Sequence, residues 1–177
     1  MDRIQIHTND MAQSAQTLRA GDKILLSGTI YTARDAAHKR LTAMLDRGEP
    51  LPFDLNGASI YYAGPTPTPE NLPIGSCGPT TSSRMDVFAP RLLDLGLKCM
   101  IGKGNRSPEV VDAIKRNGAV YLCAIGGAGA LAAKSVRSLK VIAFDDLGCE
   151  SIKSLEVEEF PLFTAIDCRG NSLFEVQ

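Results

Sequence analysis

The chain has 177 residues, of which 44% are hydrophobic and 22% charged, and its formal net charge is −1. This length predicts one domain, residues 1–177, and the balanced charge excludes the strongly basic surface typical of nucleic-acid-binding proteins. The first residues lack a basic-then-apolar leader pattern, and the longest apolar run, residues 119–133, is glycine-interrupted and too short to cross a bilayer. We expect a soluble protein with neither nucleic acid nor membrane as a partner.

Strands are predicted in the first part of the chain at residues 4–6, 23–32 and 58–63. Residues 35–47 are predicted as an amphipathic helix, because apolar side chains recur there at helical spacing. Five of the ten prolines fall between residues 65 and 79. Proline fits neither a helix interior nor a central strand, so residues 64–79 are expected to form an ordered surface segment.

Helices and strands alternate in the second half of the chain. Helices are predicted at residues 82–95, 108–117 and 127–136, and strands at residues 97–101, 120–125, 141–144 and 161–166. Pro90 is expected to kink or break the first of these helices, whereas Ser107 and Gly118 cap the second. Residues 167–171 are predicted as a hairpin loop before a last strand at 172–176. This alternation predicts an α/β fold with a parallel or mixed sheet.

Five cysteines, an odd number, are spread along the chain without a Cys-x-x-Cys pair. They are Cys77, Cys99, Cys123, Cys149 and Cys168. A disulfide framework of the extracellular kind is therefore disfavoured, and reduced thiols in a cytoplasmic protein are expected. The spacing predicts no iron–sulfur or other metal site formed by this chain alone.

One stretch, residues 75–86, combines several features of a ligand site. It opens with turn-forming residues, places Pro79 before the hydroxyl pair Thr80 and Thr81, and continues into an apolar periodic segment. A threonine or serine there is expected to cap the free N–H groups of a helix start. The partial positive charge of that helix end, together with Arg84, predicts a site for an anionic carboxylate. The alternative is an ordinary capped helix after a tight loop.

The sequence Gly-Pro-Thr-Thr-x-x-Arg-Met-Asp at residues 78–86 resembles the signature of the β region of class I, iron–sulfur fumarases and their tartrate dehydratase relatives. Further matching segments occur in the same order at residues 28–38, 62–69, 102–107, 126–132 and 156–161. The resemblance thus extends along nearly the whole chain. It implies a compact three-layer β/β/α swivelling domain with a mixed sheet, like the mobile fourth domain of aconitase.

The resemblance also implies a function. We interpret the chain as the β subunit of a two-subunit class I fumarate hydratase, which interconverts fumarate and (S)-malate in the tricarboxylic acid cycle. A separate α subunit is then expected to hold a [4Fe-4S] cluster by three cysteines, with one open iron acting as a Lewis acid on the substrate. The expected assembly is an (αβ)2 hetero-oligomer. L-tartrate and mesaconate are the alternative substrates of the same reaction class.

Three cations and a hydroxyl are the candidate site residues. Arg34, Arg84 and Lys103 each lie at a predicted strand end or helix start, and arginine forks and lysine ammonium groups match carboxylates. The resemblance implies that all three bind substrate carboxylates and that Thr80 is the base for the C3 proton. An aliphatic hydroxyl is a poor base, because its alkoxide is hard to form at neutral pH. The alternatives are solvated surface charges for the cations and a helix cap for Thr80.

Four further residues are candidates for supporting roles. His38 shares a predicted helix face with Arg34 and is expected either to orient that arginine or to relay a proton, with a surface or capping histidine as the alternative. Asp35 and Asp86 are expected to tether the arginines next to them. Thr81, the second hydroxyl of the pair, completes the set.

A competing motif lies at residues 127–132, where Gly-Ala-Gly-Ala-Leu-Ala follows a predicted strand and precedes a predicted helix. This spacing formally satisfies the dinucleotide-binding pattern, with Asp145 and Asp146 near the expected position of a ribose-binding acid. The alternative function is therefore a non-catalytic nucleotide-binding module. The motif lies late in the chain, however, and tight packing of a strand on a helix also explains the glycines.

Overall fold

Five parallel strands form the centre of the computed structural model, which describes residues 2–124 and 129–175 apart from the Leu131 side chain. The strands are β1 (Ile4–His7), β2 (Lys23–Thr32), β3 (Ser59–Tyr61), β4 (Cys99–Gly102), β5 (Val120–Cys123), β6 (Val136–Ala143) and β7 (Ile152–Ile166). The α-helices are α1 (Met11–Thr17), α2 (Asp35–Asp46), α3 (Ala89–Asp94), α4 (Pro108–Asn117) and α5 (Gly129–Lys134). Strands β1 to β5 are parallel neighbours in chain order.

The long strand β7 makes the sheet mixed. It runs antiparallel to β2, β5 and β6. Because β7 pairs with both β2 and β5, the strands β2, β3, β4, β5 and β7 form a closed ring of pairings. The α/β class with a mixed sheet is therefore confirmed.

Side chains of the parallel strands alternate between two buried clusters, as expected when both faces of a sheet are covered. On one face, Tyr62, Met100 and Tyr121 pack with apolar residues of α2, α3 and α4. On the other face, Ile101 packs in a cluster with Leu155 of β7 and apolar residues of β6. The layers are thus an antiparallel strand layer, the parallel sheet and a helix layer.

Local sequence signals placed two helices correctly. Helix α2 occupies the predicted range almost to the residue. Helix α4 begins after Ser107, whose hydroxyl accepts a hydrogen bond from the backbone N–H of Val110, and ends at Gly118, where φ is +60°. A positive φ costs glycine little, which explains why the helix stops there.

Several predicted elements differ from the structure. The predicted strand 172–176 is absent over residues 172–175, apart from the β-bridge of Ser172 with Ile166, and the predicted strand 141–144 begins earlier, at Val136, as β6. The predicted helix 82–95 is instead a short 3-10 helix, Ser82–Met85, followed by α3, so the break precedes Pro90, which lies in the first turn of α3. The predicted helix 127–136 is wrong at its end, because α5 stops at Lys134 and β6 starts at Val136. Its first residues, and the end of the predicted strand 120–125, lie outside the described residues. Strand β7 begins nine residues before the predicted Pro161.

Within residues 2–124 and 129–175, no helix combines the length and the hydrophobicity needed to cross a bilayer. Residues 64–79 contain no helix or strand of their own, in line with the predicted ordered surface segment, but they are held in place. The hydroxyl of Tyr61 donates to the carbonyl oxygen of Cys77 at 2.6 Å, and Ile74 and Cys77 are buried in the sheet's second cluster. The segment therefore delivers residues 78–86 to the end of the sheet in a fixed position.

Candidate active site

The carboxyl ends of the parallel strands gather the candidate residues, as is usual for sites in α/β sheets. Arg34 follows β2, and Lys103 follows β4. Thr80 lies next to the end of β3, because its backbone N–H donates to the carbonyl oxygen of Tyr62 at 2.8 Å. The adjoining Thr81 forms a parallel β-bridge with Lys103. Two of the three cations therefore flank the threonine pair on neighbouring strand ends.

Arg84 is drawn to the same end of the sheet by an ion pair. Its Nη2 lies 2.6 Å from Oδ2 of Asp35, the first residue of α2. Asp35 thus tethers Arg84 rather than its neighbour Arg34, and the expectation that it holds the adjacent arginine is wrong. The pair brings the two arginines together from segments 50 residues apart in the chain, because Arg34 directly precedes Asp35.

The Arg34 side chain is partly exposed at this end of the sheet. It crosses Gly64, where an added Cβ would lie 3.0 Å from the arginine Cδ. The buried Nε atom has no hydrogen-bond partner among the described residues, and the carboxylate of Glu150 lies 4.0 Å from it. The side chain as a whole is 27% exposed, so a ligand carboxylate can approach it.

Glu150 was not predicted as a site residue. It ends the 3-10 helix Asp145–Glu150, and its carboxylate also accepts a hydrogen bond from the backbone N–H of Ala36 at 3.4 Å. It lies 116 residues from Arg34 in the chain, and nothing in the local sequence indicates that the two meet. With Asp35, it gives the site two carboxylates against three cations, so the net charge favours an anionic ligand.

The helix-capping interpretation of residues 80–84 is wrong. Thr81, not Thr80, holds the position before the 3-10 helix Ser82–Met85, and no side chain caps that helix. Four residues make too small a dipole to bind an anion, because the macrodipole sums over aligned peptide units. Carboxylate binding at this end of the sheet therefore depends on side chains. The half-buried Thr80 is available for another role.

Asp86 was expected to tether Arg84, and this expectation is also wrong. Its Oδ1 accepts a hydrogen bond from Nε of Arg106 at 2.7 Å, and its Oδ2 accepts the backbone N–H of Ser107 at 2.7 Å. The Arg106 side chain is fully buried. Such a pair is held by hydrogen bonds that offset the cost of removing both charges from water. Asp86 thereby fixes the loop after Lys103 and does not face the ligand site.

His38 lies under the site in helix α2. Its Nδ1 lies 2.9 Å from the carbonyl oxygen of Arg34, and Nδ1 is the donor because a carbonyl oxygen can only accept. The His38 ring also contacts the rings of Tyr62 and Phe88. Burial lowers the pKa of His38 from 6.5 to about 4, so the ring is neutral at physiological pH. The Nε2 atom is buried without a partner among the described residues. The ring therefore supports the backbone of Arg34, and a surface histidine is excluded.

This burial predicts an acid-dependent loss of stability. Between pH 6.5 and about pH 4 the unfolded chain binds a proton at His38 and the folded chain does not, so the free energy of unfolding falls as pH falls. The shift corresponds to about 3 kcal/mol at pH 4, at roughly 1.4 kcal/mol per pH unit. Urea unfolding of His38→Phe across pH 4 to 8 should lack this fall. His7→Asn, at the only other histidine, is the matched control and should retain it. An unchanged profile in His38→Phe would contradict the assignment.

The comparisons with known proteins point in one direction. The family model for the fumarase C-terminus matches residues 1–177. The chain is 45% identical over 155 residues to the Escherichia coli "Fumarate hydratase class I, aerobic", covering 86% of this chain and 28% of that protein. It is 44% identical over 156 residues to "Fumarate hydratase 2" of Leishmania major, covering 87% of this chain and 28% of that protein. It is 41% identical over 169 residues to the "Putative L(+)-tartrate dehydratase subunit beta" of Methanocaldococcus jannaschii, covering 92% of this chain and 87% of that protein.

The chain belongs to the fumarase C-terminus family. It spans 28% of the length of the fumarate hydratases that it matches, but 87% of the tartrate dehydratase β subunit. The resemblance drawn from residues 78–86 and the other matching segments is thereby confirmed.

The cysteines of this fumarase-family chain do not fit a cluster site. Cys77, Cys99 and Cys123 are buried, and the described residues contain no group of three or more His, Cys, Asp or Glu side chains arranged to hold a metal. Burial raises the pKa of Cys77 and of Cys99 to about 12, which disfavours the thiolate that binds iron. Cys149 is exposed and Cys168 partly so.

The glycines of the dinucleotide-type motif have a packing role where they are described. The carbonyl oxygen of Gly129 accepts a hydrogen bond from the backbone N–H of Cys77 at 3.1 Å. A Cβ at Gly129 would lie 2.4 Å from Oγ of Ser76. Asp146 is engaged with Arg40 in a surface ion pair. Gly127 lies outside the described residues. The described part of the motif thus packs against the segment before Thr80. This packing favours a structural role for the glycines over phosphate binding.

Proposed function

We propose that this chain is the β subunit of a class I fumarate hydratase that reversibly hydrates fumarate to (S)-malate. The observation that carries the proposal is that Arg34, the Thr80–Thr81 pair and Lys103 lie at the carboxyl ends of β2, β3 and β4, and that the ion pair with Asp35 holds Arg84 at the same end. Fumarate and malate carry two carboxylates, and the three cations outnumber the two acids Asp35 and Glu150, so the site keeps a positive charge that favours such a dianion.

Arg34 and Arg84 are proposed to hold one carboxylate group each through paired N–H donors, and Lys103 to add a compact charge. Thr80 is proposed to take the C3 proton of malate through its deprotonated hydroxyl oxygen, while the C2–O bond breaks and the C2 hydroxyl leaves as hydroxide. In net terms the proton taken from C3 completes the released water, and Thr80 returns to its starting form. Nearby cations favour the anionic form of that oxygen. His38 and Asp35 act through the arginines that they contact, and Thr81 acts through its bridge to Lys103.

The remaining part of the site is proposed to come from an α subunit in an (αβ)2 assembly in the cytoplasm. A [4Fe-4S] cluster held by that subunit would supply Lewis-acid chemistry at the substrate hydroxyl. The 41% identity to a protein named as a tartrate dehydratase subunit beta supports an α partner for this chain. The domain is proposed to swivel against the α subunit, in line with the β/β/α layers.

L-tartrate is the second candidate substrate, because the tartrate dehydratase β subunit is 41% identical to this chain. Fumarate is preferred, since residues 62–65 and 102–107 resemble the fumarase pattern more closely, and mesaconate is a third substrate to assay. Comparison of kcat/KM for the three dicarboxylates would rank them. A higher value for L-tartrate would reassign the substrate and leave the reaction class unchanged.

Iron analysis tests the division of labour between the subunits. The chain purified and reconstituted without oxygen should be folded, bind no iron in stoichiometric amount, and show no hydratase activity, because its cysteines are dispersed and mostly buried. Addition of an α subunit carrying the cluster should produce fumarate hydration. Turnover by the isolated chain, or a cluster retained by it, would refute the proposal.

A further inference from the structure

A pair of buried hydroxyls lies directly behind Lys103. The Oγ of Ser82 accepts a hydrogen bond from the backbone N–H of Lys103 at 3.0 Å. The same Oγ lies 2.7 Å from the hydroxyl of Tyr121, and that hydroxyl lies 2.8 Å from the carbonyl oxygen of Gly104. Ser82 and Tyr121 are both fully buried. The two side chains therefore connect the backbone on either side of the Lys103–Gly104 peptide bond.

One placement of the two hydroxyl protons satisfies every contact in this chain of hydrogen bonds. Each hydroxyl has one proton to donate, and the carbonyl oxygen of Gly104 can only accept. The arrangement that uses every donor once runs from the Lys103 N–H to Ser82, from the Ser82 O–H to Tyr121, and from the Tyr121 O–H to Gly104. Removing either hydroxyl would leave a buried group unpaired.

Ser82 holds Lys103 from both sides. Its own backbone N–H donates to the carbonyl oxygen of Lys103 at 2.9 Å, while its side chain accepts the Lys103 N–H. The preceding Gly102 permits this close approach, because a Cβ there would lie 1.9 Å from Oγ of Ser82. The last residue of β4 must therefore be glycine for the serine to reach the lysine backbone.

A buried ion pair supports the same loop from its other end. The Arg106 guanidinium lies 4.7 Å from the ring centre of Tyr121, and its Nη2 donates to the hydroxyl of Tyr62 at 3.1 Å. Its ion pair with Asp86 also holds the backbone of Ser107. A cation binds an aromatic face or a carboxylate most strongly when the interacting groups are removed from water. Residues 103–107 are consequently fixed at both ends.

We propose that Ser82 and Tyr121 are positioning residues that set the direction in which Lys103 projects toward the substrate carboxylate. Lys103 is exposed and flexible in its side chain, so the orientation of its Cα–Cβ bond decides which volume its ammonium group can reach. Ser82 and Tyr121 do not touch the substrate. The inference rests on the proposed function, in which Lys103 binds a carboxylate.

The test uses the chain assembled with its α subunit. Tyr121→Phe and Ser82→Ala should each raise KM for malate, with kcat/KM falling on the order of tenfold and kcat changing less. The double variant should be little worse than either single variant, because both interrupt one hydrogen-bond chain. In a Lys103→Met background, Tyr121→Phe should have no further effect on kcat/KM. Ser59→Ala is the control, since Ser59 is a buried hydroxyl on β3 that takes no part in this hydrogen-bond chain, and it should leave the kinetics unchanged.

Amide hydrogen exchange of the full chain gives a reading independent of turnover. The Lys103 amide should be protected in the wild type and should exchange faster in Ser82→Ala and Tyr121→Phe. Unchanged exchange, or an equal loss of kcat/KM in the Lys103→Met background, would overturn the positioning role. An assembled wild type without hydratase activity but with the expected exchange pattern would instead refute only the proposed function.

Discussion

Replacement of Thr80 by valine is expected to lower kcat of the assembled enzyme by about 10²–10⁴, the range typical of general acid–base groups. Valine keeps the shape of threonine but lacks the oxygen that would take the C3 proton. Thr80→Ser keeps the oxygen and should retain measurable activity. Steady-state rates of malate dehydration for the two variants, measured beside the wild type, provide the comparison.

The melting temperature of Thr80→Val distinguishes a catalytic role of Thr80 from a structural one. Thr80 does not cap the 3-10 helix Ser82–Met85, so Thr80→Val should leave the melting temperature nearly unchanged. Exchange of the malate C3 proton with deuterated solvent should also be lost in Thr80→Val. Exchange at the wild-type rate would mean that another group takes the proton, and residues of the α subunit would then be examined first, because the neutral His38 is buried.

Replacement of Arg34 by lysine is expected to lower kcat/KM although the charge is kept. The expected loss of transition-state stabilisation is about 2–4 kcal/mol. The guanidinium offers two parallel N–H donors to a carboxylate, and an ammonium group does not. The Arg34 side chain is 27% exposed, so a ligand carboxylate can approach it. Measurement of kcat/KM for malate and of the melting temperature checks the prediction, with stability expected to change little.

Arg84→Lys should lose activity by a similar amount, and Arg91→Lys serves as a matched control. Arg91 forms a comparable exposed ion pair, with Asp46, outside the proposed site. The Arg91 variant should keep wild-type kinetics, because Arg91 lies outside the proposed site. Its stability should also change little, because exposed ion pairs contribute little to stability. Wild-type kinetics in Arg34→Lys or Arg84→Lys would show that the arginine concerned is a solvated surface charge.

Local signals and strand order account for the parts of the structure that the sequence predicted. Helix α4 was predicted because its cap residues act within one turn of the chain. Arg34 and Lys103 lie at the same edge of the sheet because they follow β2 and β4, the parallel strands on either side of β3. The roles of these residues and of Thr80 in catalysis stay predictions.

Ion-pair partners were the least predictable part of the site. Asp35 pairs with Arg84 and not with the adjacent Arg34, and Asp86 pairs with Arg106 and not with the nearby Arg84. The choice depends on how separate segments pack, which no spacing within one segment records. The early part of β7 was predictable in principle, because apolar Leu155 and Val157 alternate there with charged residues.

The ring of strands also constrains the order of folding. Strand β7 is the last strand in the described part of the chain, yet it lies between β2 and β5. During synthesis, β2 and β5 leave the ribosome well before their shared neighbour, and unpaired strand edges are prone to associate with other chains. The pairings of β7 with β2 join residues more than 120 positions apart, such as Thr29 and Glu156, and contacts this distant slow folding. The site-bearing end of β2 is therefore completed only after translation has passed Lys153, the β7 residue that pairs with Thr32.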